Sequence, residues 1–288
     1  MKECNHGSRS DILWKADQFT WNLNSRALMM GILNVTPDSF SDGGRFKSRE
    51  DIGTTARELI DQGADILDIG GESTRPGATV VPIKEELQRV IPVIEKLRSE
   101  TDVALSIDTC KPDVASEALK AGAHIVNDIS GFRDPQMIEI CARSKCGVVV
   151  MHMKGTPQTM QGLASYDDVV AEVREFYEER FHTLTLAGIA AERIAFDPGI
   201  GFGKTLDHNL ALINGVRDYT VQQRPILMGL SRKSFIGSLI GDPRLDRREF
   251  PTQALTVLAR MNGAMIHRVH RVDQNTKAVR MVESVLKR

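Results

Sequence analysis

The sequence predicts one (β/α)₈ TIM barrel of the α/β class, preceded by a short N-terminal β-hairpin. Eight short runs rich in Val, Ile and Leu recur along the 288 residues, and segments with helical periodicity separate them. The runs are continuous rather than alternating, as expected of parallel strands that are buried on both faces. No Pro/Gly/Ser-rich linker divides the chain, which favours closure into a barrel over the alternative of a doubly wound open sheet.

The eight apolar runs are the expected strands, and Pro and Gly punctuate the helices between them. The strands lie at 27–33, 65–69, 103–107, 124–129, 147–151, 193–196, 225–230 and 264–269. The helices lie at 48–62, 82–98, 112–121, from 134 onwards, and at 166–187, 205–214, 232–240, 252–260 and 272–286. Pro112 suits a first helical turn, and Gly122 suits the end of the same helix.

Residues 1–26 are expected to form an N-terminal extension, and residues 27–288 the barrel. Phe19 and Trp21 alternate with polar neighbours before the first barrel strand. This period of two predicts a small hairpin, which we expect to cover the bottom of the barrel.

Composition excludes several classes of protein. Lys and Arg number 37 against 38 Asp and Glu, a net charge of −1, so there is no basic footprint for nucleic acid or for a membrane surface. The four cysteines are few and irregular, which argues against a disulfide framework, and Cys141 and Cys146 lack a second pair for zinc. The N-terminus lacks the apolar core of a secretory signal, and no apolar run reaches the roughly 20 residues of a membrane span. We therefore expect a soluble cytoplasmic protein.

Polar side chains stand at the carboxyl end of nearly every expected strand, where barrels of this kind carry their active sites. They are Asn34, Asp68, Asp108, Asn127, Asp128, His152, Asp197, Ser231, Lys233, Arg268 and His270. One Asp at a strand end most often forms a turn or a helix cap, and we assign structural roles to Asp128 and His152. Burying so many unpaired polar groups would cost about 1–3 kcal/mol each, so their convergence predicts a polar ligand.

The converging groups are of two chemical kinds. Carboxylates, an amide and an ammonium suit the edge of a flat heterocycle, and they comprise Asp108, Asn127, Asp197 and Lys233. An oxygen ligand and cationic donors suit a Mg²⁺-diphosphate, and they comprise Asn34, Arg268 and His270. The loops VTPDSFSDGG and GGESTRPGA are expected to be mobile covers. The string PGIGFGKT is interpreted as a βα loop, because Pro198 stands where a P-loop requires Gly.

Eight motifs together resemble the dihydropteroate synthase family of folate biosynthesis, from about residue 27 to the C-terminus. They are GILNVTPDSFSDGG, DIGGESTRPGA, SIDT-x-KP, VNDISGF, VVMHMKGTPQTMQ, FDPGIGFGK, GLSRKSFIG and RVH. The resemblance implies a (β/α)₈ barrel that is usually a homodimer. It also implies that 6-hydroxymethyl-7,8-dihydropterin diphosphate condenses with p-aminobenzoate to give 7,8-dihydropteroate and diphosphate. Inhibition by sulfonamides follows from their likeness to p-aminobenzoate.

The resemblance also implies a role for each matching residue. The catalytic set would be Asp42, Asp108, Lys233, Arg268 and His270. The pterin diphosphate would be bound by Thr74, Asp108, Asn127, Asp197, Lys233, Arg268 and His270, with the Arg268 guanidinium stacked on the ring. The p-aminobenzoate pocket would be framed by Phe40, Thr74, Arg75, Pro76, Phe202 and Ser231. Asn34 would bind Mg²⁺.

The chain departs from the family pattern at two positions. Arg271 follows His270 where the family usually has Asp, which could disturb the orientation of His270 or add a cation near the diphosphate. Pro251 precedes Thr252 where the family often has Gly, which would alter a helix start. Two other functions stay open, a corrinoid methyltransferase that binds methyltetrahydrofolate and a non-catalytic pterin-binding module. The GGESTRPG and SRKS segments disfavour the first, and the diphosphate cations disfavour both.

Overall fold

A computed structural model of the protein describes residues 11–35, 49–74 and 77–286, without the side chains of residues 49 and 50. Within these ranges, eight parallel strands form one sheet and two antiparallel strands form a separate hairpin. The hairpin comprises β1 (Leu13–Ala16) and β2 (Phe19–Asn22). The sheet comprises β3 (Leu28–Asn34), β4 (Ile66–Gly70), β5 (Ala104–Asp108), β6 (Ile125–Asp128), β7 (Gly147–Met151), β8 (Ile194–Asp197), β9 (Leu227–Met228) and β10 (Ile266–Val269).

The sheet closes on itself, which confirms the predicted barrel. Its strand order is β8-β7-β6-β5-β4-β3-β10-β9, so β8 and β9 are the two edges that must meet. They meet through a parallel bridge between Phe196 and Ile226. There the amide of Phe196 donates to the carbonyl of Pro225 at 3.0 Å. The closed ring has no exposed sheet edge, apart from this short seam.

Nine α-helices in the described ranges cover the outside of the barrel. They are α1 (Arg49–Asp61), α2 (Ile83–Glu100), α3 (Pro112–Ala121), α4 (Pro135–Arg143), α5 (Val169–Leu186), α6 (Leu206–Asn214), α7 (Ser234–Ile240), α8 (Glu249–Asn262) and α9 (Val272–Leu286). Local chemistry fixes their ends. The Asp168 carboxylate accepts the first amides of α5, and Gly122 ends α3 with a φ of 108°. None of these helices has the length and apolar character of a membrane span.

Three elements differ most from the sequence expectation. Helix α5 begins at Val169, three residues after the expected start. Strand β9 has two residues, Leu227–Met228, where a run of six was expected. Helix α8 begins at Glu249, three residues before the expected start. Pro251 therefore lies in the first turn of α8, where its missing N–H has no intrahelical acceptor to lose. The division of the chain between residues 26 and 27 stays a prediction.

The inward side chains form an apolar layer at the bottom of the barrel. Each barrel strand contributes to it, through Leu28, Met30, Ile66, Ala104, Ile125, Val149, Ala195, Leu227 and Ile266. Trp14 of the hairpin packs on this layer and is fully buried. Its indole N–H donates to the carbonyl of Arg193 at 3.1 Å. The hairpin therefore covers the barrel bottom, as the alternation of Phe19 and Trp21 predicts.

Above that layer the inward side chains become polar. Strand register places Asp68 beside Ser106, and one step higher it aligns Asn34, Gly70, Asp108 and Asn127 across four neighbouring strands. Side chains two residues apart in a strand point the same way, so Asp68 and Asn127 lie above the apolar side chains of Ile66 and Ile125. The carboxyl end of the barrel is thus a polar basin on a closed apolar floor.

Replacing Trp14 with alanine is expected to destabilise the fold by about 3–5 kcal/mol, because it opens a cavity under the barrel. Trp21 is the matched control, since its side chain is only partly buried. Urea denaturation of Trp14→Ala and Trp21→Ala should show a clearly larger loss for Trp14→Ala. Equal losses would mean that the hairpin does not seal the floor.

Candidate active site

A single arginine joins two carboxylates at the centre of the polar basin. Nε of Arg268 donates to Oδ2 of Asp68 at 2.5 Å, and its Nη2 donates to Oδ2 of Asp108 at 2.6 Å. Asp68 is fully buried and Asp108 is 9% exposed. Burial lowers the pKa of Arg268, but the two carboxylates raise it by more, so its pKa lies above the ordinary value. Arg268 therefore stays charged and fixes both acids in place.

Each of these two acids keeps one buried oxygen without a hydrogen-bond partner in the described residues. These atoms are Oδ1 of Asp68 and Oδ1 of Asp108. Asn127 also belongs to the cluster, since its Nδ2 donates to Oδ2 of Asp68 at 3.2 Å. An unpaired acceptor in a buried site costs free energy, and a ligand with N–H donors would remove that cost.

The carboxylate of Asp197 lies on the opposite side of the basin. Its Oδ1 accepts the amide of Gly199 at 2.7 Å. Burial raises the pKa of Asp197, and Lys233, Arg268 and Lys204 act in the opposite direction. Burial likewise raises the pKa of Asp108 to about 7, against the influence of Arg268. The two acids are thus held near cations but away from bulk water.

Two lysines stand beside Asp197 with different surroundings. Nζ of Lys233 lies 4.1 Å from the ring centre of Phe202, and burial lowers its pKa to about 8. Nζ of Lys204 donates to the carbonyls of His152 and Phe202 and contacts Nδ1 of His152 at 3.1 Å. Burial also lowers the pKa of Lys204, to about 7. Lys204 thus fastens the loop that carries Phe202, while Lys233 remains available to a ligand.

Ser231 and His270 are joined directly. Oγ of Ser231 lies 2.8 Å from Nδ1 of His270 and accepts the His270 amide at 3.2 Å. The hydrogen bond to Ser231 therefore helps to orient the ring of His270. Arg271 is exposed, and it lines a groove beside α1 together with His270 and Glu58. The effect of Arg271 on the orientation of His270 stays a prediction.

Asn34 and Asp108 flank a gap above Gly70. A Cβ atom on Gly70 would lie 3.5 Å from Oδ1 of Asn34 and 3.7 Å from Oδ2 of Asp108. The missing side chain thus leaves room next to an amide oxygen at the rim. Oxygen ligands and an open coordination sphere suit Mg²⁺, which is usually bound by one or two protein groups and substrate phosphates. These residues fit a magnesium ion.

The remaining predicted residues divide between those described and those not. Thr74 lies at the end of the described part of the loop after β4 and is partly buried. Phe40, Asp42, Arg75 and Pro76 lie outside the described residues. The two residues assigned structural roles are both buried.

Asp128 points away from the basin and accepts the amides of Ser130 and Phe132, at 2.7 and 2.8 Å, as a turn former does. Burial, with Lys204 nearby, lowers the pKa of His152 to about 2, so its ring is neutral.

Comparison with known proteins places the chain among enzymes with this arrangement. Residues 30–270 match the family described as pterin binding enzyme. The dihydropteroate synthase of Escherichia coli K12 is 47% identical over 258 residues, covering 90% of this chain and 91% of that protein. The chain belongs to the dihydropteroate synthase family of pterin-binding enzymes.

Solved structures of dihydropteroate synthases superpose closely on this one. A Yersinia pestis enzyme in a sulfonamide drug complex gives a TM-score of 0.91 at 42% identity, covering 96% of this chain and 100% of that one. A Burkholderia cenocepacia enzyme complexed with 7,8-dihydropteroate gives 0.87 at 44% identity, covering 96% and 97%. The barrel, the N-terminal hairpin and the family predicted from sequence are confirmed.

Sequence reasoning gave no site role to two residues that the structure places in this dihydropteroate synthase basin. Asp68 holds both Arg268 and Asn127, and Lys204 holds the Phe202 loop. Asp68 carried a detectable signal, because it stands two residues after Ile66 and two before Gly70, and so on the inward face. Lys204 carried none, because its partners are main-chain carbonyls that only the fold brings near.

We expect pterin affinity to depend on the ionisation of Asp108. An ionised carboxylate accepts a stronger hydrogen bond from a pterin N–H than a protonated acid does, so affinity should rise as the pH passes upward through about 7, the raised pKa of this acid. Calorimetric titration with a hydroxymethylpterin between about pH 6 and 8.5 measures this rise. The step should vanish in Asp108→Asn and persist in Lys204→Gln, which removes a second basin group with a pKa of about 7. A step that persists in Asp108→Asn would assign it elsewhere.

Proposed function

We propose that this protein condenses 6-hydroxymethyl-7,8-dihydropterin diphosphate with p-aminobenzoate, forming 7,8-dihydropteroate and releasing diphosphate. The family assignment makes the protein a transferase. One observation carries the proposal: two buried acids share the basin with Arg268, and one oxygen of each has no hydrogen-bond partner among the residues that the structure describes. The basin therefore contains both hydrogen-bond acceptors for a heterocycle and a cation for a leaving anion.

The pterin ring would lie in the basin with its N–H edge toward the acids. Asp108 and Asp197 would accept hydrogen bonds from the ring, and the Asn127 amide and Lys233 would complete the edge. The Arg268 guanidinium would lie against the ring face, where its two acid partners fix its orientation and keep it charged. The apolar layer and Trp14 beneath exclude water from that side.

The reaction would break the bond between the pterin methylene and a diphosphate oxygen. Arg268, His270 and Thr74 would bind the departing diphosphate, and the Ser231 contact would keep the His270 ring aimed at it. The geometry is consistent with a metal-assisted reaction, in which Asn34 would hold Mg²⁺; the ion, when bound, would supply a Lewis acid to the leaving oxygens. The positive charge left on the pterin methylene would be stabilised by Asp108 and Asp197.

The neutral amine of p-aminobenzoate would then bond to the methylene carbon and release one proton. We propose that Phe202 and Ser231 frame its pocket together with Thr74 and the residues Phe40, Arg75 and Pro76, and that Asp42 acts from the first loop. No protein nucleophile is needed for this SN1-like path, because the leaving group departs before the amine attacks. The structure of a homologue with a sulfonamide supports the further proposal that sulfonamides compete for the same pocket.

Two alternatives are separated by the diphosphate subsite. A corrinoid methyltransferase and a pterin-binding module share the ring-edge acids but have no use for His270 and the rim oxygen of Asn34. The contact of Ser231 with His270 at 2.8 Å supports the presence of this subsite. A cytoplasmic location stays part of the proposal.

The proposed activity is tested by mixing both substrates with Mg²⁺ and following diphosphate and dihydropteroate together. Equal amounts of the two products support the proposal, and a sulfonamide should raise the apparent KM for p-aminobenzoate without lowering the limiting rate. Binding of the pterin without diphosphate release would favour the binding module. In a separate assay, methyl transfer from methyltetrahydrofolate to a corrinoid would favour the methyltransferase.

His270→Ala is expected to weaken pterin diphosphate binding by about tenfold or more, because a charge-assisted hydrogen bond contributes about 1.5–3 kcal/mol. Free hydroxymethylpterin should bind to the variant as it does to the wild type, since His270 does not reach the ring edge. His182→Ala, on the exposed face of α5, is the matched control. Equal losses for both ligands would contradict the diphosphate role.

We also propose that the protein is a homodimer, through an apolar stripe on α8 and its neighbours. Phe250 is 78% exposed, and Leu258 and Met261 follow it on the same face of the helix. Further exposed apolar side chains lie nearby on α6 and α7, at Leu206, Leu210, Leu239 and Ile240. An apolar surface of this extent is typical of a protein interface.

The double variant Phe250→Glu/Leu258→Glu is expected to be a monomer in analytical ultracentrifugation, because it places charges in the centre of the stripe. Leu186→Glu, at an exposed apolar position on α5, should stay dimeric and serves as the control. A dimer that survives the double variant would place the interface elsewhere.

A further inference from the structure

We propose that Lys111 is a positioning residue that fixes the loop after β4, and with it Thr74, to the strand that carries Asp108. The inference rests on the proposed function, because it concerns how one of its subsites is held. Lys111 follows β5 by three residues, and none of the roles above uses it. Its ammonium donates to Glu72 and Glu86, and Glu86 also accepts the hydroxyl of Thr109.

The Lys111 ammonium lies between two carboxylates. Its Nζ donates to Oε2 of Glu72, in the loop after β4, and to Oε2 of Glu86, on α2. The Glu86 side chain is 1% exposed, whereas those of Lys111 and Glu72 reach the surface in part. Oε1 of Glu86 accepts the Thr109 hydroxyl at 2.8 Å, and Thr109 directly follows Asp108. A buried acid thus anchors the lysine to the end of β5.

Glu72 connects this anchor to both ends of the loop. Its Oε1 accepts the amide of Val81 at 3.1 Å, nine residues further along the chain. The carbonyl of Gly71 accepts a hydrogen bond from Nη1 of Arg89 on α2 at 2.6 Å. Thr74 lies between these two attachment points, two residues after Glu72. The loop base is therefore closed by Glu72, and Glu72 is held by Lys111.

The charges make Lys111 indispensable to this arrangement. Without its ammonium, two carboxylates would face each other, and like charges at such a distance repel. Glu86 cannot leave the interior, so Glu72 would turn to solvent and release the Val81 amide. Burial lowers the pKa of Lys111, but its hydrogen bonds to Glu72 and Glu86 raise it by more, so the lysine stays charged.

Release of the loop is expected to affect the two substrates differently. Thr74 serves the diphosphate and the p-aminobenzoate, whereas the pterin ring edge is bound by groups on other strands. Lys111→Met should therefore raise the KM for p-aminobenzoate by about tenfold, corresponding to about 1.4 kcal/mol, and leave the Kd of free hydroxymethylpterin unchanged. Lys111→Arg should restore most of the loss. A general loss of structure would weaken both ligands.

Glu72→Ala keeps the pair between Lys111 and Glu86 and so tests the loop without leaving a buried charge unpaired. It should raise the same KM, and the double variant should be no worse than the poorer single variant, because both changes break one connection. Lys120→Ala is the matched control, since Lys120 forms an exposed pair with Glu117 on α3. Unchanged KM values in both Lys111→Met and Glu72→Ala would overturn the proposal.

Hydrogen–deuterium exchange separates this inference from the proposed function. The Val81 amide should exchange faster in Lys111→Met and in Glu72→Ala than in the wild type and Lys120→Ala, whether or not the reaction is the one proposed. A wild-type protein that makes no dihydropteroate contradicts the proposed function alone. An unchanged exchange rate at Val81 contradicts the positioning role alone.

Discussion

The buried contact of Arg268 with Asp68 and Asp108 is the interaction on which the site depends. Charges inside a protein are tolerated only when partners and hydrogen bonds replace water, and breaking such a cluster by removing one member is strongly destabilising. Here two acids share one guanidinium, and one oxygen of each acid has no hydrogen-bond partner within the described residues. A ligand with N–H donors would satisfy these oxygens.

The rest of the barrel can be understood as support for that cluster. The apolar layer and Trp14 keep water from reaching it from below. Helix ends and turn formers such as Asp128 fix the positions of the strand ends along the barrel axis. The Lys204 ammonium donates hydrogen bonds to main-chain carbonyls and so restrains the loop that carries Phe202. Preorganisation of this kind is what lets electrostatic groups stabilise charge without rearranging during the reaction.

The apolar runs, and the Pro and Gly residues at the helix ends, predicted the barrel because each of these features is local in sequence. Continuous apolar runs and a polar residue at each carboxyl end can be read without knowledge of contacts. The exceptions are set by tertiary structure. Strand β9 pairs with β10 over two residues, although its apolar run is six residues long, and α8 starts early because a first turn accepts Pro251. The pairing of Ser231 with His270 and of Lys111 with Glu72 joins residues 39 positions apart, a distance that no local pattern encodes.

The short strand β9 leaves the ring of paired strands with a seam that has few backbone hydrogen bonds. Two residues pair with β10, and a single bridge between Phe196 and Ile226 joins β9 to β8. Asp197 ends one side of this seam, and Lys233 follows shortly after the other. A heterocycle bound by both Asp197 and Lys233 would connect β8 to the segment that follows β9, across this seam. Substrate occupancy would then strengthen the scaffold itself, since binding to the closed ring alone shifts the balance away from opened states.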